Sequence, residues 1–383
     1  MNRTSKIANP KSIPVIVVGL GAVGSAAAYH LARRGLHVLG LDRFAPPHTL
    51  GSTHGGSRII RKAYFEGDRY VPLIERAYVL WENLEAASGE ALLHITGGVN
   101  IGPAAGNVAA GAKATAEAQG LTYEVLSAAE TQARFPAFRV PEDQVCVWEA
   151  DAGWLHPEAC IKAHLNQARQ HGATLHNEEP VTAWHIDGDG VRVKTPKATY
   201  HADRLVLCAG GWIKDLLAKL DVTLTIERQV NGWFHPQAHP THFDPATCPV
   251  YLWEYAPGKV LYGFPNLGHG VKAGIHHQGE QVPHPNEVQR EPTDADLSTL
   301  RTTLGALLPD AVGALANAAV CFYTNTPDEH YLIDRHPVHR QVVYASACSG
   351  HGFKASNAVG EVLADLVLEH PPQVDIDAFR WRW

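Results

Sequence analysis

The chain is predicted to be an α/β protein in which a dinucleotide-binding unit is interrupted by a second, α+β unit with an antiparallel sheet and later resumed. Three observations carry this. A glycine-rich turn lies between two buried-strand runs at Val15–Asp42. The pattern of apolar strand followed by glycines returns at Leu205–Trp212 and again at Gln341–Lys354, far from residue 42. Between those returns, residues 226–317 read as a row of strands separated by Pro and Gly turns.

The first stretch dictates most. Val15–Val18 suits a buried parallel strand, Ala22–Arg34 a helix, and Val38–Leu41 a second buried strand ending on Asp42. Gly19, Gly21 and Gly24 form G-x-G-x-x-G between them. The first glycine makes the tight turn, the second admits a diphosphate to the backbone, and the third lets the helix close on its strand. The helix N-terminus then faces that diphosphate. Asp42, at the end of the second strand, is placed to accept both hydroxyls of an adenosine ribose and disfavours a 2′-phosphate there.

Composition narrows the class of partner. The 383 residues suffice for two cores, and 45% hydrophobic with 19% charged residues describes a globular chain. A net charge of −7 without a basic stripe argues against nucleic acid and for small-molecule chemistry. Six cysteines, Cys146, Cys160, Cys208, Cys248, Cys321 and Cys348, are scattered without C-x-x-C spacing, so no metal site or disulfide framework is expected and a reducing cytoplasm fits. No apolar run approaches the ~20 residues that span a bilayer, so no membrane is expected. Arg3, Lys6 and Lys11 ahead of an apolar run resemble a signal peptide, but that run carries the nucleotide glycines. Residues 1–12 read as a loose extension.

After Asp42, the segment Gly51–Arg61 is rich in glycine and small hydroxyl residues, which suits close approach to a flat anionic cofactor. Arg58 and Arg61, three apart, are expected to open a helix with both guanidinium groups on one side. Tyr70–Ala87 has apolar residues at helical spacing. Next come a short strand at Ile95–Ile101, an Ala-rich helix around Ala109–Gln119, and a helix at Pro157–His171. The strands expected in 226–317 are Val230–His235, Val250–Tyr255, Val260–Phe264 and Val271–His276. The last section holds a buried strand at Gln341–Ala347, the glycine loop Cys348–Lys354, and a helix at Asn357–Leu368 whose positive end points at whatever the loop holds.

Taken together, Gly19–Gly24 with Asp42, the His54–Arg61 loop, Leu205–Trp212, Tyr262–Lys272, Cys321–His330 and Ser349–Lys354 resemble the monomeric sarcosine oxidase and N-methyltryptophan oxidase family. The resemblance spans residues 15–365. It implies a glutathione-reductase-type FAD-binding domain from residues 1–90, 151–225 and 318–383, and a substrate domain from 91–150 and 226–317. It also implies FAD joined covalently to Cys321, which composition alone would make a buried, inert thiol. Gly350, Gly352 and Phe353 match the cofactor loop. His54 and Arg58 match residues against the flavin, and Lys272 the lysine placed over it for reaction with oxygen. Arg61 and Lys354 match the pair that grips a substrate carboxylate, a fork plus a point charge. Tyr262 and His276 match the amino-acid pocket.

The activity implied is oxidation of a small secondary amino acid such as sarcosine to an imine that hydrolyses, with oxygen reduced to hydrogen peroxide by a monomeric enzyme. Rival expectations are a dehydrogenase feeding a quinone or carrier protein, and a nucleotide-binding sensor without turnover. Departures from the family pattern fall at Gly56-Ser57, where an acid and a threonine are expected, at Trp253, and at Cys348, where an apolar residue is expected.

Overall fold

The computed structural model describes residues 12–217, 220 and 222–382. The extension expected over residues 1–12, with Arg3, Lys6 and Lys11, lies outside the described residues but for Ser12.

The first sheet is built around Ile13–Val18, a strand whose last four residues are fully buried. It pairs in parallel with Val38–Leu41 on one side and Thr199–Leu207 on the other, with Thr174–His176 beyond Val38–Leu41. Thr199–Leu207 hands over its outer edge midway: its first half pairs antiparallel with Gly190–Lys194, its second half parallel with Val342–Ser346. Val18, Leu41, Leu207 and Ser346 therefore end on the same edge of the sheet. Ligands of open α/β sheets bind outside the carboxyl ends of such strands.

Helix Ala22–Arg33 packs between Pro157–Gln170 and Ser356–Val367. Every residue of Ser356–Val367 is buried, its two acids included. Glu361 and Asp365 are tolerated because Arg76 and Arg34 reach them, each at 2.6 Å. A helix enclosed on all sides holds its N-terminus in a fixed place, here at the strand ends of the first sheet.

Among the described residues the second sheet has nine strands. Thr225–Phe234 is flanked by Val271–His276 and Leu315–Asn325, and Lys259–Asn266 and Val250–Ala256 continue the row beside Val271–His276. Gly98–Pro103, Gln144–Glu149 and Glu124–Ser127 extend that row, and Gln281–Val282 pairs antiparallel with the start of Thr225–Phe234. Leu315–Asn325 is one unbroken strand of this sheet, so the division placed at residue 318 cuts through it. Cys321 is thus carried by the second sheet.

Other sequence expectations are corrected. Arg58–Ile60 is a short strand antiparallel to Gly153–Leu155, not the start of a helix, because its partner strand satisfies its backbone. The strand expected at Ile95–Ile101 is two, Leu93–Ile95 and Gly98–Pro103, in different sheets. Residues 226–317 also contain a helix, Asp294–Leu307, started by a reciprocal cap between Thr293 and Asp296.

Candidate active site

One cavity of about 480 Å³ runs from the nucleotide glycines to the second sheet. At its first end, Gly19 has φ of +86°, and a Cβ there would lie 2.4 Å from the Cys208 carbonyl oxygen. A Cβ on Gly24 would lie 1.7 Å from the Gly19 oxygen, so only glycine lets helix and strand end close together. A Cβ on Gly21 would meet nothing within 4 Å, and Gly21 lines the cavity, leaving bare backbone on the ligand side. Asp42 accepts from Leu20 N at 2.6 Å and Phe44 N at 2.7 Å, which aims its carboxylate into the cavity wall. Burial raises its pKa against those two donors.

The loop after Asp42 is held from three sides. Ser52 Oγ donates to Phe322 O at 2.6 Å, and Arg58 donates to Ser52 O and Ser57 O at 2.7 and 2.8 Å. The Glu158 carboxylate accepts from Gly55 N at 2.7 Å and Gly56 N at 3.2 Å. Lys272 Nζ donates to Gly55 O at 2.8 Å, Ser57 O at 2.9 Å and Ser57 Oγ at 3.2 Å. Two of these acceptors are backbone carbonyls and the third is a hydroxyl that the expected threonine would also offer, so the departure at Gly56-Ser57 leaves the anchoring of Lys272 intact. Burial, then Arg58, pulls the Lys272 pKa well below the ordinary lysine value. His54 is also buried, and its pKa falls to about 4, through burial first and Arg58 next. Arg58 lines the cavity, whereas His54 and Lys272 stand behind its wall.

At the far end the cations sit among partners. Arg61, 2% exposed, donates to Glu66 Oε2 at 2.6 Å and to Ala63 O at 2.7 Å. Burial opposes the Glu66 charge, but Arg61, His351 and Lys354 outweigh it and hold its pKa down to about 2. Lys354 Nζ donates to His351 O at 2.7 Å and Tyr64 Oη at 2.9 Å. Burial, then the Arg61 charge, lowers its pKa to about 7, with Glu66 pulling the other way. The lysine stands beside the N-terminus of the enclosed helix, tolerated there by a nearby anion and by partial loss of its own charge.

Opposite them lies the second sheet. Tyr262 Oη donates to Asn231 Oδ1 at 2.9 Å, and Asn231 Nδ2 donates to Cys321 Sγ at 3.7 Å, so one buried amide orients both phenol and thiol. His276 Nδ1 lies 3.2 Å from Tyr323 Oη. Burial, then His277, pushes its pKa well below the usual range, so the ring is neutral. Gly350, with φ of +77°, packs against this pair: a Cβ would lie 2.6 Å from His276 Cε1. Thr324 N donates to Cys348 Sγ at 3.5 Å, and Cys348 and Cys321 both line the cavity. Trp253 does not. Its indole donates to Gln144 Oε1 at 2.7 Å within the core, and its neighbour Leu252 faces the cavity instead.

The cavity therefore gathers Gly19, Gly21, Asp42, Arg58, Arg61, Tyr262, His276, Cys321, Gly350, Gly352, Phe353 and Lys354 from the sequence-derived set. Sequence reasoning missed Glu66, Glu158, Asn231 and Tyr64. Glu158 was visible only as an acid in the first turn of a helix, and the others carry no spacing signal. The wall fits FAD on its own terms. It offers bare glycine backbone and a helix N-terminus at one end. At the other, the buried Thr324 Oγ1 beside Cys321 and Cys348 finds no hydrogen-bond partner among the described residues.

The chain is 44% identical over 358 residues to the monomeric sarcosine oxidase of Streptomyces avermitilis, covering 92% of this chain and 93% of that protein. It is 38% identical over 369 residues to the N-methyl-L-tryptophan oxidase of Salmonella arizonae, covering 96% and 97%. The solved structure of NikD, an amino acid oxidase of nikkomycin biosynthesis, superposes with a TM-score of 0.84 at 25% identity, covering 97% of this chain and 98% of that one. The FAD dependent oxidoreductase family matches residues 14–366, and the chain belongs to it.

Proposed function

We propose that the protein oxidises the C–N bond of a small secondary, N-methyl amino acid such as sarcosine, with oxygen as the final electron acceptor. The observation that carries this reading is the pairing of Arg61 and Lys354 at the end of the cavity remote from the nucleotide glycines, facing Tyr262 and His276. On this reading the chain divides into a unit holding FAD on the first sheet and a substrate-facing unit on the second. FAD supplies the two-electron acceptor and the route to oxygen, and the protein supplies position and charge.

The carboxylate of the substrate takes the unused Arg61 Nε–H and a Lys354 N–H. An incoming anion raises the Lys354 pKa, so a proton is drawn onto Nζ as the substrate binds. Glu66, already on Arg61, keeps the guanidinium oriented before substrate arrives. With two cations at the carboxylate, the substrate amine loses its proton more readily, and only the neutral amine can give up a hydride equivalent. His276, neutral and set by Tyr323, puts no opposing cation beside that amine. Tyr262, Phe264 and Leu252 give an apolar wall suited to an N-methyl group and a short side chain.

We further propose that Cys321 carries FAD through a thioether, the thiol being oriented by Asn231. The test of the substrate class is a panel of amines added without oxygen, scored by loss of flavin colour. N-methyl amino acids should bleach the flavin and the matching amines without a carboxylate should not.

A further inference from the structure

Away from the cavity, beside the second sheet, two turns bring three metal-binding side chains together. His239 precedes the 3-10 turn Pro240–Phe243 and His242 lies within it, and Asp310 stands on Pro309–Ala311, just after helix Asp294–Leu307. The two segments are pinned by their backbones. Gln237 N donates to Asp310 O at 2.8 Å, Gln237 Nε2 to Pro309 O at 2.9 Å, and Gly313 N to His235 O at 2.9 Å. His239 adopts φ of +46°, a left-handed conformation that non-glycine residues take only when held there. Its Nδ1 lies 2.9 Å from Asp310 Oδ2. One ring nitrogen of each histidine and an Asp310 oxygen all lie within 4.8 Å of one another. His242 Nδ1 is buried and has no hydrogen-bond partner among the described residues. Arg139 approaches Asp310 only at 3.9 Å, and its Nη1 already serves the carbonyls of Pro136 and Phe138.

We infer that His239, His242 and Asp310 bind a divalent first-row transition ion of the zinc class. Two imidazoles and one carboxylate suit such an ion, whereas calcium and magnesium call for six or more oxygen ligands. Bonds of about 2.0–2.2 Å in a tetrahedron set ligand atoms roughly 3.4 Å apart, so closure needs shifts of about 1–1.5 Å. The His239 side chain is 62% exposed and can make that shift by rotation. Three protein ligands leave a fourth position for water. The ion ties the turn at Pro240–Phe243 to the end of helix Asp294–Leu307, and none of its three ligands lines the cavity. Its effect is therefore on stability, not on turnover.

The test is calorimetric titration of chelator-stripped, flavin-loaded protein with Zn²⁺, followed by thermal unfolding at several free Zn²⁺ levels. One saturable site per chain is expected, with a Tm that climbs with free metal. His239→Ala and Asp310→Asn should each weaken binding by more than the roughly 10- to 100-fold that loss of an outer-shell partner costs, and flatten the Tm response. Both should keep wild-type turnover, and in each the Tm should no longer climb with free Zn²⁺. Absence of saturable binding overturns the inference. So does Zn²⁺ affinity unchanged in both variants, which would put the ion on other histidines.

Discussion

The Lys354 ammonium makes the carboxylate clamp sensitive to pH, and the size of the effect follows from its surroundings. With a pKa of about 7, roughly half the molecules carry the charge at pH 7 and about one in a hundred at pH 9. Butyrate, the carbon isostere of sarcosine, is ionised throughout and has no amine to titrate. Its affinity should therefore fall by up to about 50-fold from pH 7 to pH 9. The fall levels off once the lysine contact is gone, which costs about 1.5–3 kcal/mol or roughly 10- to 150-fold. The groups bonded to Lys354, or set with it around Arg61, do not titrate in this window: Glu66 is held near 2, His351 near 3, Tyr64 is raised far above its ordinary value, and Arg61 stays charged. The assay is flavin absorbance on titration with butyrate from pH 6 to 9, in wild type, Lys354→Met and Lys354→Arg. Lys354→Met should be weak and flat, and Lys354→Arg flat. A wild-type affinity independent of pH, or the same break in Lys354→Met, refutes the reasoning. The sign for folding is opposite. Between about 7 and the ordinary lysine value of 10.5 the unfolded chain binds the extra proton, so this group's contribution to stability rises with pH across that window.

Other outcomes follow from the same geometry. Acid-precipitated wild type should stay yellow, Cys321→Ser should release flavin to the supernatant, and Cys348→Ser should not; the reverse pattern would move the attachment to Cys348. Glu66→Gln leaves the buried Arg61 charge uncompensated and should cost about 3–5 kcal/mol in urea unfolding. Gly350→Ala puts a methyl 2.6 Å from His276 Cε1 at a positive φ and should raise KM for N-methyl amino acids well before it lowers Tm by much. Negative charge developing on oxygen beside Lys272 raises its lowered pKa and draws a proton onto Nζ; Lys272→Met removes that response, worth up to about 4 kcal/mol at 4 Å and an effective dielectric near 20, so flavin reoxidation in air should slow by up to roughly 10³-fold while anaerobic bleaching stays fast. Slow bleaching with normal reoxidation would instead make Lys272 only the anchor of the 55–57 loop.

The nucleotide end was legible because its chemistry is local. Three glycines, two strands and an acid must follow one another in order, and backbone approach tolerates no substitute at Gly19 or Gly24. The substrate end was legible only through resemblance, since Arg61, Tyr262, His276 and Lys354 come from four distant segments. Glu66 and Asn231 were invisible because their roles exist only once Arg61 and Cys321 are placed beside them. Arg58 and Arg61 looked helical by spacing, but a strand partner some 95 residues away decided the backbone. Trp253, a departure from the family pattern, is turned into the core by period-two alternation, which leaves Leu252 on the cavity. Thr293 and Asp296 did spell a capping box, and reading it would have revealed the helix in a segment taken as all strand.

The central claim is that the end of the cavity away from the nucleotide glycines binds an N-methyl amino acid by its carboxylate for oxidation at the C–N bond. The most direct measurement is anaerobic stopped-flow bleaching of the flavin with sarcosine, glycine and dimethylamine, which separate the N-methyl group from the carboxylate. Sarcosine should bleach rapidly, and Arg61→Ala should slow bleaching at limiting sarcosine by roughly 10- to 150-fold. Equal bleaching by dimethylamine, or an Arg61→Ala rate matching wild type, would contradict the account.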